Sequence, residues 1–204
     1  MLHCKHNCIT KELMPKTLIP FSHSAIQPFS HLKIGGVRTK EVGMGFQSSL
    51  TLNQQSDTTL FYSKGFSGCT GILAVAKKEN GDFYVKLLHK NAYQTGHLFS
   101  TGTLPHLTSI PSNATVVLFV AGEYQKNGQD KWEMFPNEES QQIINKITAK
   151  LPNRRIVIKA YSMSKENYKP SNSIAALYNP TENSVKIYTD GYSENPYTPI
   201  LEIK

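Results

Sequence analysis

Asn80-Gly81 stands between two apolar runs, Ile72-Leu73-Ala74-Val75-Ala76 before it and Phe83-Tyr84-Val85-Lys86-Leu87-Leu88 after it. Both turn residues tolerate the positive φ of a type I′ turn, so Gly71 to His89 is predicted to form an antiparallel hairpin. The first run is apolar at odd and even positions alike. Such a strand is covered on both faces and belongs in the middle of its sheet. A two-residue turn sets His89 opposite Ile72, three positions along the strand from Cys69.

Around this hairpin the pattern is mostly extended. Leu60-Phe61-Tyr62 is a short run broken at Lys64-Gly65, and Gly35-Gly36 forms a turn into a strand at Val37-Arg38. Further strands are expected at Thr115 to Ala121, Arg155 to Tyr161, Ile174 to Tyr178 and Val185 to Thr189. Lys126-Asn127-Gly128 and Asn179 to Asn183 read as hairpin turns. One helix is expected after Pro136-Asn137. Glu138 and Glu139 open it, Ile143, Ile144, Ile147 and Leu151 recur at helical spacing, Lys146 and Lys150 come late, and Pro152 lies beyond. Many strands with few helices predict an α+β fold, a β-sandwich-like mixed sheet core with one or two flanking helices.

At 204 residues the chain suits one domain, here residues 35–204, preceded by an irregular arm over 1–34 that Pro15, Pro20 and Pro28 interrupt. No run approaches the roughly 18 apolar residues of a membrane span. Met1 to Pro20 lacks the apolar middle of a secretory signal, so an exported form is expected to leave by a route that spares its N-terminus. The net charge of +7 favours approach to acidic partners, but the basic residues are scattered and form no nucleic-acid motif. Cys4, Cys8 and Cys69 are an odd set in a long chain, which argues against a disulfide framework and for a reducing place of work. His3-Cys4-Lys5-His6-Asn7-Cys8 fits no established zinc spacing, so neither metal nor cofactor is expected.

The chemistry is concentrated at Ser63-Lys64-Gly65-Phe66-Ser67-Gly68-Cys69-Thr70. Gly68 lets backbone approach a ligand, and Cys69 opens the buried strand. A nucleophilic cysteine needs a base or a positive partner to make its thiolate, and the hairpin offers His89. His97 and His106 are the rivals. Spacing alone favours the plainer reading of each, Cys69 as an inert buried thiol and His89 as a packed core residue.

Ser67-Gly68-Cys69-Thr70, an apolar strand, a Lys/Asn/Gly turn, a second strand and His89 together resemble the catalytic segment of the cytotoxic necrotizing factor and Burkholderia lethal factor group of glutamine deamidase toxins. Leu60-Phe61-Tyr62-Ser63 resembles the run that precedes the cysteine in the lethal-factor branch. The similarity covers Leu60 to His89. Phe66 replaces a leucine of the signature, and the interval from cysteine to histidine is longer here. The resemblance implies Cys69 as nucleophile, His89 as base, Ser63 as the group that orients the imidazole, and the backbone at Gly68 and Cys69 as oxyanion donors. It further implies a secreted or translocated bacterial toxin, a monomer acting in the host cytosol. Its partner would be a host protein carrying the target glutamine, either a Rho-family GTPase or a translation-initiation RNA helicase, with transglutamination as a side activity. Two alternatives stay open: another Cys-His hydrolase, either a protease or a chemotaxis-type deamidase, and a non-enzymatic basic protein-binding module.

Overall fold

The computed structural model describes residues 29–33, 35–91, 104–163, 172–190 and 197–204. Its strands are β1 (Arg38–Glu41), β2 (Gln47–Leu52), β3 (Thr59–Lys64), β4 (Thr70–Lys77), β5 (Phe83–Lys90), β6 (Thr115–Lys126), β7 (Trp132–Pro136), β8 (Arg155–Ser162), β9 (Ser173–Asn179), β10 (Ser184–Asp190) and β11 (Leu201–Ile203). Its helices are α1 (Leu104–Thr108) and α2 (Glu138–Lys150). The first sheet runs β1-β3-β9-β10-β11 and the second β2-β5-β4-β6-β7, with β8 paired to β6. β1 with β3 and β6 with β8 are parallel pairs and the others antiparallel, so the α+β class and the mixed sandwich core are as the sequence predicts.

Alternation along the strands decides what each face covers. Leu73 and Val75 of β4, Phe83, Val85 and Leu87 of β5, and Val117 and Phe119 of β6 point inward. They meet Phe61, Ile174, Ala176, Tyr178, Val185 and Ile187 of the first sheet. On the other face of the second sheet, Ile72, Ala74, Val116 and Leu118 are covered by Ile144, Ile147 and Leu151 of the α2 region. β4 is thus buried on both sides, as its unbroken apolar run requires. The side chain of Asn137 caps α2, its Oδ1 accepting from Ser140 N at 2.9 Å, and this starts the helix directly after Pro136. Phe29, Leu32 and Val37 cover Leu60, Tyr62 and Tyr188 on the outside of the first sheet. Of the expected N-terminal arm, residues 1–28, with the His3–Cys8 tract, lie outside the described residues.

The β4–β5 turn corrects the expected register. Lys78 N donates to Asp82 O at 2.7 Å and Gly81 N to Lys78 O at 3.0 Å, with Gly81 alone of the pair at positive φ, 84°. This is a three-residue turn closed by a left-handed glycine rather than a two-residue type I′ turn. The extra residue moves His89 from Ile72 to Gly71. That brings the imidazole one position nearer to Cys69.

Candidate active site

Ser63 is the last residue but one of β3 in the first sheet and His89 the last but one of β5 in the second, so the two sheets meet at this rim of the sandwich. Ser63 Oγ lies 2.8 Å from His89 Nδ1 and 2.5 Å from the Val42 carbonyl oxygen, and both side chains are fully buried. The proton assignment follows from counting. A hydroxyl has one hydrogen, and a carbonyl can only accept, so Ser63 donates to Val42 and must accept from His89. Nδ1 therefore carries the ring proton. Nε2 is left as a bare lone pair, and it is buried with no hydrogen-bond partner. Burial holds the imidazole pKa down at about 4, so the ring is neutral at pH 7.

A second set of contacts fixes the plane of that ring. Phe66 stacks on it with centroids 3.9 Å apart and planes 13° from parallel. Gly71, directly across the strand pair, makes the stack possible. A Cβ there would stand 3.0 Å from two Phe66 ring atoms and 3.2 Å from the Phe119 Cβ, so any larger residue would require these neighbours to give way. The Phe66 backbone exchanges hydrogen bonds with Asn172, receiving from Nδ2 at 3.1 Å and donating to the Asn172 carbonyl at 3.1 Å. Asn172 Nδ2 also reaches the Ser162 carbonyl at 3.0 Å, which ties the loop to the end of β8.

Cys69 closes this loop after Gly68, which adopts a φ of 85°. Its side chain belongs to the inter-sheet core, on the same face of the second sheet as His89. The thiol is 3% exposed, and its hydrogen bond runs to the Met44 thioether at 3.8 Å rather than to His89. Desolvation raises its pKa, while a backbone hydrogen bond from Ser67 acts in the opposite direction. Tyr161 of β8 donates to the Cys69 carbonyl at 2.5 Å. Burial and the neighbouring Cys69 keep this phenol protonated, and backbone hydrogen bonds from Gly68 and Cys69 act on the same hydroxyl. The two amides expected to hold an oxyanion thus face Tyr161.

The described part of the chain therefore brings Ser63, His89, Gly68 and Cys69 to one end of the sandwich and joins the first two directly. The pair is at rest in its neutral form, because burial shifts thiol and imidazole in opposite directions and disfavours either charge. His106 sits in α1 and accepts from Gln47 Nε2 at 2.6 Å among Lys86 and Lys90, across the second sheet from Cys69. His97 lies outside the described residues. Among the described residues no group of three His, Cys, Asp or Glu side chains gathers that could hold a metal ion.

Sequence reasoning missed Phe66 as the ring partner, and it missed Met44, Tyr161 and Asn172 altogether. Only Gly71 carried a signal: a glycine inside an apolar strand marks a close approach. Compared with known families and with curated proteins, the chain matches no family model and none of those proteins.

Proposed function

We propose that the chain is a protein-glutamine deamidase that uses Cys69 as nucleophile and His89 as base, oriented by Ser63. The observation that carries this reading is the Ser63–His89 hydrogen bond, whose donor count leaves Nε2 unprotonated on the sheet face that also carries Cys69. An imidazole held in one tautomer by a hydroxyl at Nδ1 is what a cysteine base requires.

In the reaction, Cys69 Sγ attacks the side-chain carbonyl carbon of a glutamine while its proton passes to His89 Nε2. The tetrahedral oxyanion takes the place of the Tyr161 hydroxyl oxygen at the Gly68 and Cys69 backbone N–H groups, where one donor contributes about 3 kcal/mol, while the single Tyr161 hydrogen stays on the Cys69 carbonyl. The carbon–nitrogen bond then breaks, Nε2–H protonates the leaving ammonia, and a thioester remains. Water deprotonated by Nε2 attacks the thioester and releases glutamate and the thiol. An amine in place of water gives transglutamination.

Because both groups begin neutral, charge develops only as the bond forms, and Met44 must swing aside for the glutamine to reach the sulfur. The partner is a protein bearing the target glutamine, and the setting is that of a bacterial toxin or effector delivered to a host cytosol. No helix among the described residues is long and apolar enough to cross a membrane.

Thiol burial and the raised pKa favour a second reading, a basic binding module with a structural cysteine. Purified protein and its Cys69→Ser variant, each incubated with host-cell lysate, separate the two. Glutamine-to-glutamate conversions seen by mass spectrometry only with the unaltered protein support the deamidase. Identical peptide spectra, together with a Cys69 that resists iodoacetamide, remove it.

A further inference from the structure

β5 carries His89 on its inner face, and on its outer face it carries two lysines that the proposed chemistry does not use. Lys86 and Lys90 are 6% and 7% exposed. Lys86 Nζ donates to Ser109 Oγ at 2.7 Å and Lys90 Nζ to the Gly45 carbonyl at 3.4 Å, so among the described residues their partners are neutral. No carboxylate among the described residues forms an ion pair with either, and the sequence from Asn91 to Thr103 contains neither Asp nor Glu. Each charge is felt nearby: Lys90 acts on Lys86, and both act on His106. Two neighbouring ammonium groups taken out of water without a counter-ion are costly for a fold. An anion would relieve that cost.

One further atom narrows the class of anion. Gln47 donates to His106 through Nε2, but its Oε1 is buried with no partner. Lysines need acceptors from a ligand, whereas Gln47 Oε1 needs a donor. A carboxylate has none at neutral pH, and sulfate has none either. A hydrogen phosphate group carries acceptor oxygens and a P–OH together.

We propose that Lys86, Lys90, His106 and Gln47 form a binding site for a phosphate group on the helix-covered face of the second sheet. The group is hydrogen phosphate, because a phosphomonoester is mostly dianionic at neutral pH and keeps no P–OH; the probes used are inorganic phosphate and O-phosphoserine, with sodium sulfate at matched ionic strength as control.

Thermal unfolding of the full chain is expected to shift upward and saturate with inorganic phosphate, and to shift much less with sulfate. The effect of phosphoserine is expected to be weaker than that of inorganic phosphate, and an equal or stronger one would overturn the part given to Gln47 Oε1. Lys90→Gln should weaken the apparent affinity about tenfold or more, as loss of a charge-assisted hydrogen bond predicts. Side-chain NMR of the unaltered protein gives an independent reading, in which the Lys86 and Lys90 Cε signals move saturably with phosphate. Equal responses to phosphate and sulfate, a response undiminished in Lys90→Gln, or lysine signals that do not move would overturn the site. None of these outcomes depends on glutamine chemistry.

Discussion

The two faces of β5 handle the same difficulty in opposite ways. On the inner face, His89 is fully buried and gives up its charge, with Ser63 and Val42 accounting for its one ring proton. On the outer face, Lys86 and Lys90 are almost as buried and, among the described residues, have neutral partners. A titrating group near pH 7 becomes neutral at little cost, whereas a lysine must be driven far from its usual range to do so. One strand thus presents an unpartnered imidazole nitrogen to one side and two ammonium groups without a carboxylate partner among the described residues to the other.

Removing the inner face's chemistry should have the largest effect. His89→Phe keeps an aromatic ring against Phe66 and removes the lone pair, so glutamine conversion should fall by about 10²–10⁴-fold while the thermal midpoint holds. Conversion that survives in this variant would shift the base elsewhere. Next comes Phe66→Ala, which empties a fully buried site and should cost about 3–5 kcal/mol in urea unfolding. By admitting water beside the imidazole it should also raise the His89 pKa from about 4, measurable by NMR titration of the ring.

The third effect is a pH dependence. The histidine pKa is about 4 in the fold against about 6.5 unfolded, so the unfolded chain binds more protons between those values. Stability should be complete above the upper value and fall by about 3 kcal/mol as pH drops to the lower one. In His89→Phe this acid slope should flatten. The lysines bear on the opposite end of the scale: their lowered pKa values mean that raising pH toward 10.5 relieves their penalty and adds stability. Double substitution Lys86→Met with Lys90→Met should abolish that alkaline gain and leave the acid slope intact, which separates the two faces cleanly. The smallest effect belongs to Ser63→Ala. It strips Nδ1–H and the Val42 carbonyl of their common partner and should cost about 1–3 kcal/mol. Conversion should fall less than in His89→Phe, because the ring survives but its tautomer is released.

Much of the fold was legible because burial writes itself locally. The all-apolar run of β4 gave a central strand, and Ile144, Ile147 and Leu151 gave the covering face of α2. β2 was missed because Gln47, Ser48 and Ser49 carry little apolar signal in a strand that pairs with β5 alone. The register slipped because Asn-Gly admits both a two-residue turn and the three-residue one observed, and the sequence does not choose between them. The site was legible only along one stretch of chain. Ser63 and His89 belong to different sheets, and Tyr161 and Asn172 reach the loop from 92 and 106 residues away, so no spacing rule could join them. The resemblance named Ser63, but the accounting of its single hydrogen needed coordinates.

Met44 has a consequence for how the Cys69 thiol meets an oxidant. Its side chain is 58% exposed while the sulfur beneath it is almost covered, so a peroxide arriving from solvent meets the thioether first. Methionine sulfoxide is repaired by reductases, whereas a cysteine taken past the sulfenic stage is not readily recovered. Met44, which lies over the sulfur, is therefore expected to be oxidised before Cys69, and its oxidation is the one that can be reversed.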